Sequence, residues 1–299
     1  MNPSPKVKGR SGNLKGILWM LFYAAVISGM HVGVRLVSEG IPPFEIAFFR
    51  NFFGLIAVIP WFIRYGLHPL KTKRLGMLTA RGALNTICML GFFTALSITP
   101  LAEVTALSFT APIFATLVAM FWFKEKIGIR RWAAIAVGFA GVFVVLRPGF
   151  QEIGLGQMLV LGSSIGWAIC IIIIKDLGRT ESAVTITTYM GLVMAPLSLI
   201  PALFVWVTPT LEQLGWLVLL GTLGGIAQLA MSQSLRLADT HVVTPFDFSR
   251  LIFISILGYI TLGQIPDNFV WLGGVMIFGS MAFITYREHQ LNAANSKAE

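Results

Sequence analysis

Long apolar runs separated by short polar connectors make up most of this sequence. Ten runs approach or exceed the length of about 20 residues that crosses a bilayer as a helix. Their positions are 14–36, 44–64, 78–98, 101–123, 131–147, 155–175, 183–207, 212–235, 242–263 and 268–286. The pattern therefore predicts an all-α integral membrane protein with ten transmembrane helices, referred to below as the first to tenth spans.

One stretch of the chain occurs twice, 139 positions apart. When Gly82–Leu146 is set against Gly221–Thr285, twelve of 65 positions are identical and the polar interruptions coincide. We therefore predict two five-helix repeats, at 1–150 and 151–290, followed by a polar tail at 291–299. Because five is odd, the second repeat must be inverted in the membrane, as in many transporters that work by alternating access.

Lys and Arg lie mainly on one side of the predicted bundle. If the N-terminus is inside, 18 of the 22 Lys and Arg fall in inner connectors and tails. The positive-inside rule then places both termini in the cytoplasm and the protein in the plasma membrane.

Composition excludes several other classes of protein. The chain is 56% hydrophobic and 12% charged, with a mean hydropathy of +0.79. These values leave the lipid bilayer as the main solvent, because a soluble domain has about twice this share of charged residues. The net charge of +9 comes from the connectors and does not indicate a nucleic-acid partner. Cys88 and Cys170 lie inside apolar runs, which suggests small core residues without a disulfide.

Enzyme chemistry has little support in the sequence. The four histidines show no metal-ligand spacing, and no P-loop is present. We expect no metal, no cofactor and no ATP-driven step. A membrane-embedded enzyme remains the least favoured alternative.

The segment Thr99–Pro148 has three distinctive features. Pro112 lies in mid-helix, Glu125 lies in a charged turn, and a glycine-rich helix carrying Gly138 and Gly141 follows. With these features the segment resembles the EamA-type family of the drug/metabolite transporter superfamily, and most of all its YddG-like amino-acid exporters.

This resemblance extends to both halves of the chain. It implies a fold of five plus five helices and export of small metabolites across a bacterial inner membrane. The second half departs from the pattern, because Leu251 occupies the position of the proline and Gln264 that of the glutamate.

Two ionisable residues in the ninth span need an explanation at membrane depth. Asp247 and Arg250 are three residues apart, which predicts that they share one helical face. Arg250 could meet a substrate carboxylate, and Asp247 an amine or a coupling proton. The alternative is an ion pair that only holds the bundle together. Their counterparts in the first repeat are Ser108 and Ala111.

Arg50 and His31 allow similar pairs of interpretations. The simpler explanation of Arg50 is that it snorkels to the outer interface, and the other is a role in an outer gate. His31 is expected to be a side chain with satisfied hydrogen bonds rather than a proton relay.

Polar residues concentrate in the first, third, fourth, sixth, eighth and ninth spans, which predicts that these spans line a central cavity. Alternatively, the hydroxyls bond within their own helix and the amides join helices. The predicted cavity residues are Trp19, Tyr23, Asn85, Ser108, Ser163, Trp167, Gln228, Ser232, Asp247 and Arg250.

Helix breakers and small residues complete the prediction. Pro112 and Pro245, at the start of the ninth span, are expected to act as hinges during gating, together with Arg50. Glycines in the fifth and tenth spans predict close packing of these spans, within one chain or between two chains.

The function predicted from the sequence is a secondary active or facilitative transporter that exports small amphipathic metabolites, including aromatic amino acids. A monomer or a weak homodimer is expected. The second alternative is a flippase for a lipid or lipid carrier on the same fold.

Overall fold

The structure is a computed structural model that describes residues 10–56, 72–123, 128–150, 152–178, 180–181, 183–238 and 240–295. The described residues are mainly helical. The helices are α1 (Arg10–Val37), α2 (Pro43–Ile56), α3 (Leu75–Ile98), α4 (Leu101–Ser108), α5 (Ala111–Phe123), α6 (Ile129–Leu146), α7 (Leu155–Leu177), α8 (Ala183–Phe204), α9 (Leu211–Leu237), α10 (Thr240–Asp247), α11 (Ser249–Leu262) and α12 (Asn268–Asn295).

Nine segments of the described chain are long and apolar enough to cross a membrane, from Asn13–Val37 to Asn268–Arg287. They correspond to nine of the ten predicted spans. The remaining span, 44–64, begins as α2, and its residues from 57 onward lie outside the described residues. The chain is therefore a multi-pass membrane protein, while the total of ten spans stays a prediction.

The fourth and ninth spans are each interrupted near their middle. The fourth consists of α4 and α5, and Pro112 is the second residue of α5. A proline cannot donate to the carbonyl four residues before it, here that of Ser108, which explains the end of α4 at that residue. The ninth span consists of α10 and α11. Pro245 lies inside α10, three residues after the start of the apolar span Val242–Leu262.

Both interruptions contain the same hydrogen bond. The Thr110 hydroxyl donates to the Leu107 carbonyl, and the Ser249 hydroxyl donates to the Phe246 carbonyl, each at 2.7 Å. Donors and acceptors are both 139 positions apart, the period of the sequence repeat. Hydroxyls that bond back into their own helix favour bending there, so equivalent residues interrupt the helix in both halves.

The fifth and tenth spans, α6 and α12, pack against each other within the chain. A Cβ added to Gly141 would lie 2.8 Å from the Gly273 carbonyl oxygen, so the backbones nearly touch. At the other end of the contact the Ser280 hydroxyl donates to the Ala134 carbonyl. Residue numbers rise along one helix as they fall along the other, so the two helices are antiparallel. The predicted close packing is confirmed for this pair.

The second and seventh spans, α2 and α8, also meet antiparallel. The Val207 amide, just beyond α8, donates to Glu45 Oε2 at 3.0 Å, and Asn51 Nδ2 donates to Ser198 Oγ at 3.2 Å. The neighbours correspond as well, because α1 packs against α9 as α3 packs against α7. Antiparallel contacts between equivalent helices are those that inverted repeats would make.

An ion pair joins the end of the first half to the start of α12. Arg147 follows α6 with a left-handed φ of 45°, and its Nη2 lies 2.7 Å from Asp267 Oδ2. The Phe269 amide donates to Asp267 Oδ1 at 3.0 Å, so Asp267 caps the helix. This bond, together with the nearby Arg147, holds the pKa of Asp267 below its usual range.

The α6–α12 contact gives a matched stability test. Gly141→Ala forces a methyl group against a backbone carbonyl, and overpacking of this kind costs about 1–3 kcal/mol. Gly279→Ala on α12 places the same methyl group where nothing lies within 4 Å. Thermal unfolding of the purified protein in detergent should show a lower midpoint for Gly141→Ala only. Equal midpoints would contradict the contact.

Candidate functional site

The centre of the candidate site is an ion pair across the interruption of the ninth span. Asp247 is the last residue of α10 and Arg250 is the second of α11. Arg250 Nε lies 3.0 Å from Asp247 Oδ1. Phe248, between the two helices, keeps right-handed helical angles (φ −61°, ψ −23°), so Asp247 and Arg250 lie one turn apart on the same face, as their spacing predicts. The side chains of Arg250 and Asp247 are 15% and 21% exposed, respectively, so the pair is not sealed in the core.

The two interrupted spans meet at this ion pair. Arg250 Cζ lies 4.7 Å from the centre of the Phe109 ring, in the gap between α4 and α5. The Phe109 ring is 5.7 Å from that of Phe248, which lies between α10 and α11. A cation over an aromatic face is attracted by its quadrupole. The first repeat thus places the aromatic ring of Phe109 against the positively charged Arg250 of the second repeat.

The first span supplies two polar side chains beside this pair. Tyr23 lies close enough to Arg250 and Asp247 to interact electrostatically with both. His31 is only 7% exposed, and its ring lies 5.2 Å from that of Phe92. Phe92 in turn is 5.1 Å from Trp167 on α7. A continuous row of aromatic side chains therefore links α1, α3 and α7.

Arg50 also points into the bundle, so the expected snorkelling was wrong. Its Nη1 donates to Asn51 Oδ1 at 3.3 Å and to Met89 Sδ on α3 at 3.5 Å. A Cβ added to Gly224 on α9 would lie 3.1 Å from Arg50 Nε and 3.3 Å from Met30 Sδ. The Arg50 side chain therefore lies where α1, α2, α3 and α9 meet.

Four of the predicted cavity residues make contacts other than with this ion pair. Trp19 packs edge-on against Phe22 and is 39% exposed. The other three donate to neighbours, which was the alternative interpretation for such groups. Asn85 donates to Met194 Sδ on α8, Ser163 to the Cys88 carbonyl on α3, and Ser108 to the Thr105 carbonyl of its own helix. Their roles in a cavity stay predictions.

The two ends of the bundle differ at equivalent positions of the repeat. Gln228 and Ser232 on α9 are exposed. Met89 and Phe93, 139 positions earlier on α3, are only 5% and 3% exposed. Residues 101–107 of α4 are buried, whereas the corresponding α10 exposes Pro245. At these positions the bundle is therefore packed more tightly around α3 and α4 than around α9 and α10.

The sequence analysis missed several residues of this centre. Phe109 and Phe248 are one of the twelve identical pairs of the repeat, and this identity could have marked them as site residues. Phe92, Met89 and Gly224 gave no signal, because apolar residues and glycine are common in every span. In the described residues no group of three or more His, Cys, Asp or Glu could hold a metal ion.

Comparison with known proteins agrees with two similar halves around this centre. Residues 14–147 and 154–286 each match the EamA-like transporter family. The chain belongs to this family. It is a transporter and not an enzyme, and each half carries one copy of the family's unit.

Individual relatives are similar over nearly their whole length. The riboflavin transporter of Vibrio cholerae is 31% identical over 281 residues, covering 92% of this chain and 94% of the relative. An S-adenosylmethionine uptake transporter of Rickettsia bellii is 30% identical over 273 residues, covering 91% and 94%. The predicted resemblance to transporters is confirmed, while the narrower one to amino-acid exporters stays a prediction.

A solved structure described as "Crystal structure of protein" supports the same fold. Its TM-score to this chain is 0.62 at 17% identity, and the match covers 94% of this chain and 98% of the solved one. At this level of identity the likeness concerns the fold alone.

The difference between the two ends predicts a pattern of cysteine labelling. Ser232→Cys should react faster than Phe93→Cys with a membrane-impermeant maleimide, because only the first position is exposed. The native Cys88 and Cys170 are each 4% exposed, so their background should be low. Inside-out vesicles present the predicted cytoplasmic side, and intact cells are the control. Faster labelling of Phe93→Cys would contradict the described conformation.

Proposed function

We propose that this protein carries small amphipathic solutes with a carboxylate group, amino acids and amino-acid-like molecules first, by alternating access. The observation that carries the proposal is the Asp247–Arg250 pair at the point where the two interrupted spans meet. Interrupted helices at the interface of two repeats are the usual place for a substrate in such transporters.

The architecture we propose is the ten-helix inverted repeat, with halves at 1–150 and 151–290 and both termini in the cytoplasm. It is supported by the two antiparallel contacts between equivalent helices, α6 with α12 and α2 with α8. It is also supported by interruptions at equivalent residues. If the tightly packed end opened while the other end closed, the site would become accessible from the opposite side of the membrane.

The charges of the centre favour one kind of solute over another. S-adenosylmethionine, named for one relative, contains an amino-acid group and an aromatic base. Riboflavin, named for the other, has an aromatic ring system but no carboxylate. Two guanidinium groups and one carboxylate suit the amino-acid group, and Phe92 with Trp167 offers an aromatic wall.

The direction of transport follows from the driving gradient. Export of amino acids is what the narrower family resemblance implies, and one relative is named for uptake. We propose a facilitative or ion-coupled cycle, with Asp247 as the candidate proton carrier.

Counterflow in proteoliposomes tests the substrate class. Vesicles preloaded with unlabelled tryptophan, phenylalanine or S-adenosylmethionine should accumulate the labelled solute in a saturable way. Arg250→Ala should raise the half-saturating concentration about ten- to hundred-fold, the value of a lost charge-assisted hydrogen bond of about 1.5–3 kcal/mol. Arg236→Ala, at an exposed position near the end of α9, is the control and should match the wild type. Lipid flipping without flux of any of these solutes would favour the flippase.

Proton coupling through Asp247 has its own test. Asp247→Asn should abolish accumulation driven by a pH gradient while counterflow without a gradient persists, because only net movement of a proton needs the carboxylate. Asp267→Asn removes a carboxylate from a connector and should leave both activities intact. Gradient-driven accumulation by the Asp247→Asn protein would exclude this residue as the carrier.

A further inference from the structure

Arg50 is a half-buried cation for which the described chain provides no acid. The ion pairs found among the described residues are Arg74–Asp176, Arg147–Asp267 and Arg250–Asp247. Arg50 contacts only an amide oxygen and a thioether sulfur, which are neutral acceptors. A charge inside the bilayer is costly unless an opposite charge or strong acceptors compensate it.

The protein nevertheless fixes this cation in place. Asn51, which accepts from Arg50, is held by its own bond to Ser198, and the Ser198 hydroxyl donates to the Met194 carbonyl of α8. Gly224 leaves room for the guanidinium against α9. A snorkelling arginine needs none of these contacts, so the arrangement indicates a group that is kept at the centre for use.

The sum of charges at the centre shows what could use it. Asp247 balances Arg250, and Arg50 then leaves one uncompensated positive charge. Tyr23 lies close enough to both arginines to interact electrostatically with each. A solute that enters between the two guanidinium groups therefore meets a single excess positive charge.

We propose that Arg50 binds the carboxylate of the transported solute and makes that group the feature by which solutes are selected. This inference rests on the transport function proposed above. It assigns recognition of the carboxylate to the unpaired Arg50 and leaves Arg250 to orient the solute together with Asp247 and Tyr23. The planar guanidinium can donate two parallel hydrogen bonds to a carboxylate, which a lysine cannot do.

Ligand-induced thermal stabilisation of the purified full-length protein tests this without any transport. A bound ligand stabilises the folded state in proportion to the logarithm of its concentration over Kd. Tryptophan and phenylalanine should bind at least tenfold more tightly than their amides, which keep the ammonium and the ring but lack the carboxylate. Arg50→Gln should abolish this preference, and Arg50→Lys should retain part of it. A wild-type preference in the Arg50→Gln protein overturns the proposal.

A second pair of variants serves if Arg50→Gln does not fold. Gly224→Ala presses a methyl group against Arg50 and should weaken the carboxylate preference several-fold while every charge is kept. Gly225→Ala makes the same change next to it, where nothing lies within 4 Å, and should behave as the wild type. Equal preferences in these two variants would count against Arg50.

The remaining outcomes separate this inference from the proposed function. Wild-type protein that no carboxylate stabilises overturns the role of Arg50, whatever is transported. Stabilisation by inorganic phosphate or by anionic phospholipid vesicles, but not by carboxylates, also overturns it. If carboxylates stabilise the protein with the predicted preference and no counterflow is seen, the role of Arg50 stands and the transport proposal fails.

Discussion

Charge inside a bilayer has to be compensated within a few ångströms, and the centre of this bundle is organised around that constraint. Asp247 and Arg250 compensate each other across the short turn between α10 and α11, and the Phe109 ring lies against the guanidinium of Arg250. Arg50 has only neutral partners. The arrangement therefore combines one ion pair with one cation that lacks an acid among the described residues, and the proposed preference for an anionic solute rests on the second feature.

The interruptions of the fourth and ninth spans bring these groups together. Phe109 and Phe248 lie at the two interruptions, and their ring centres are 5.7 Å apart. At each interruption a Thr or Ser hydroxyl bonds three residues back, at equivalent positions in each half, and Pro112 adds to the break in the fourth span. The same hydroxyl-to-carbonyl hydrogen bond therefore accompanies the interruption in each half of the site.

The packing around this centre is unequal at the two ends, although the two halves are built alike. Met89 and Phe93 are buried where Gln228 and Ser232 are exposed. Two similar halves can hold one shared site with one end packed and the other open. The alternating-access cycle proposed above would require the halves to exchange these roles.

The sequence by itself determined the class of protein, the length and order of the spans, the repeat and the family. These follow from hydropathy and periodicity, which act through the bilayer and do not require knowledge of neighbours. The pairing of Asp247 with Arg250 also followed, because their spacing is local. Pro112 marked one helix break for the same reason.

Only the tertiary structure decided which polar groups face one another. Ser163 and Asn85 resembled cavity residues in the sequence, yet each bonds to a neighbouring helix. Arg50 resembled a snorkelling side chain, yet it lies between Met89 and Gly224. Hydropathy shows how deep a residue lies in the membrane but not which way its side chain points. That direction depends on contacts between residues far apart in the chain.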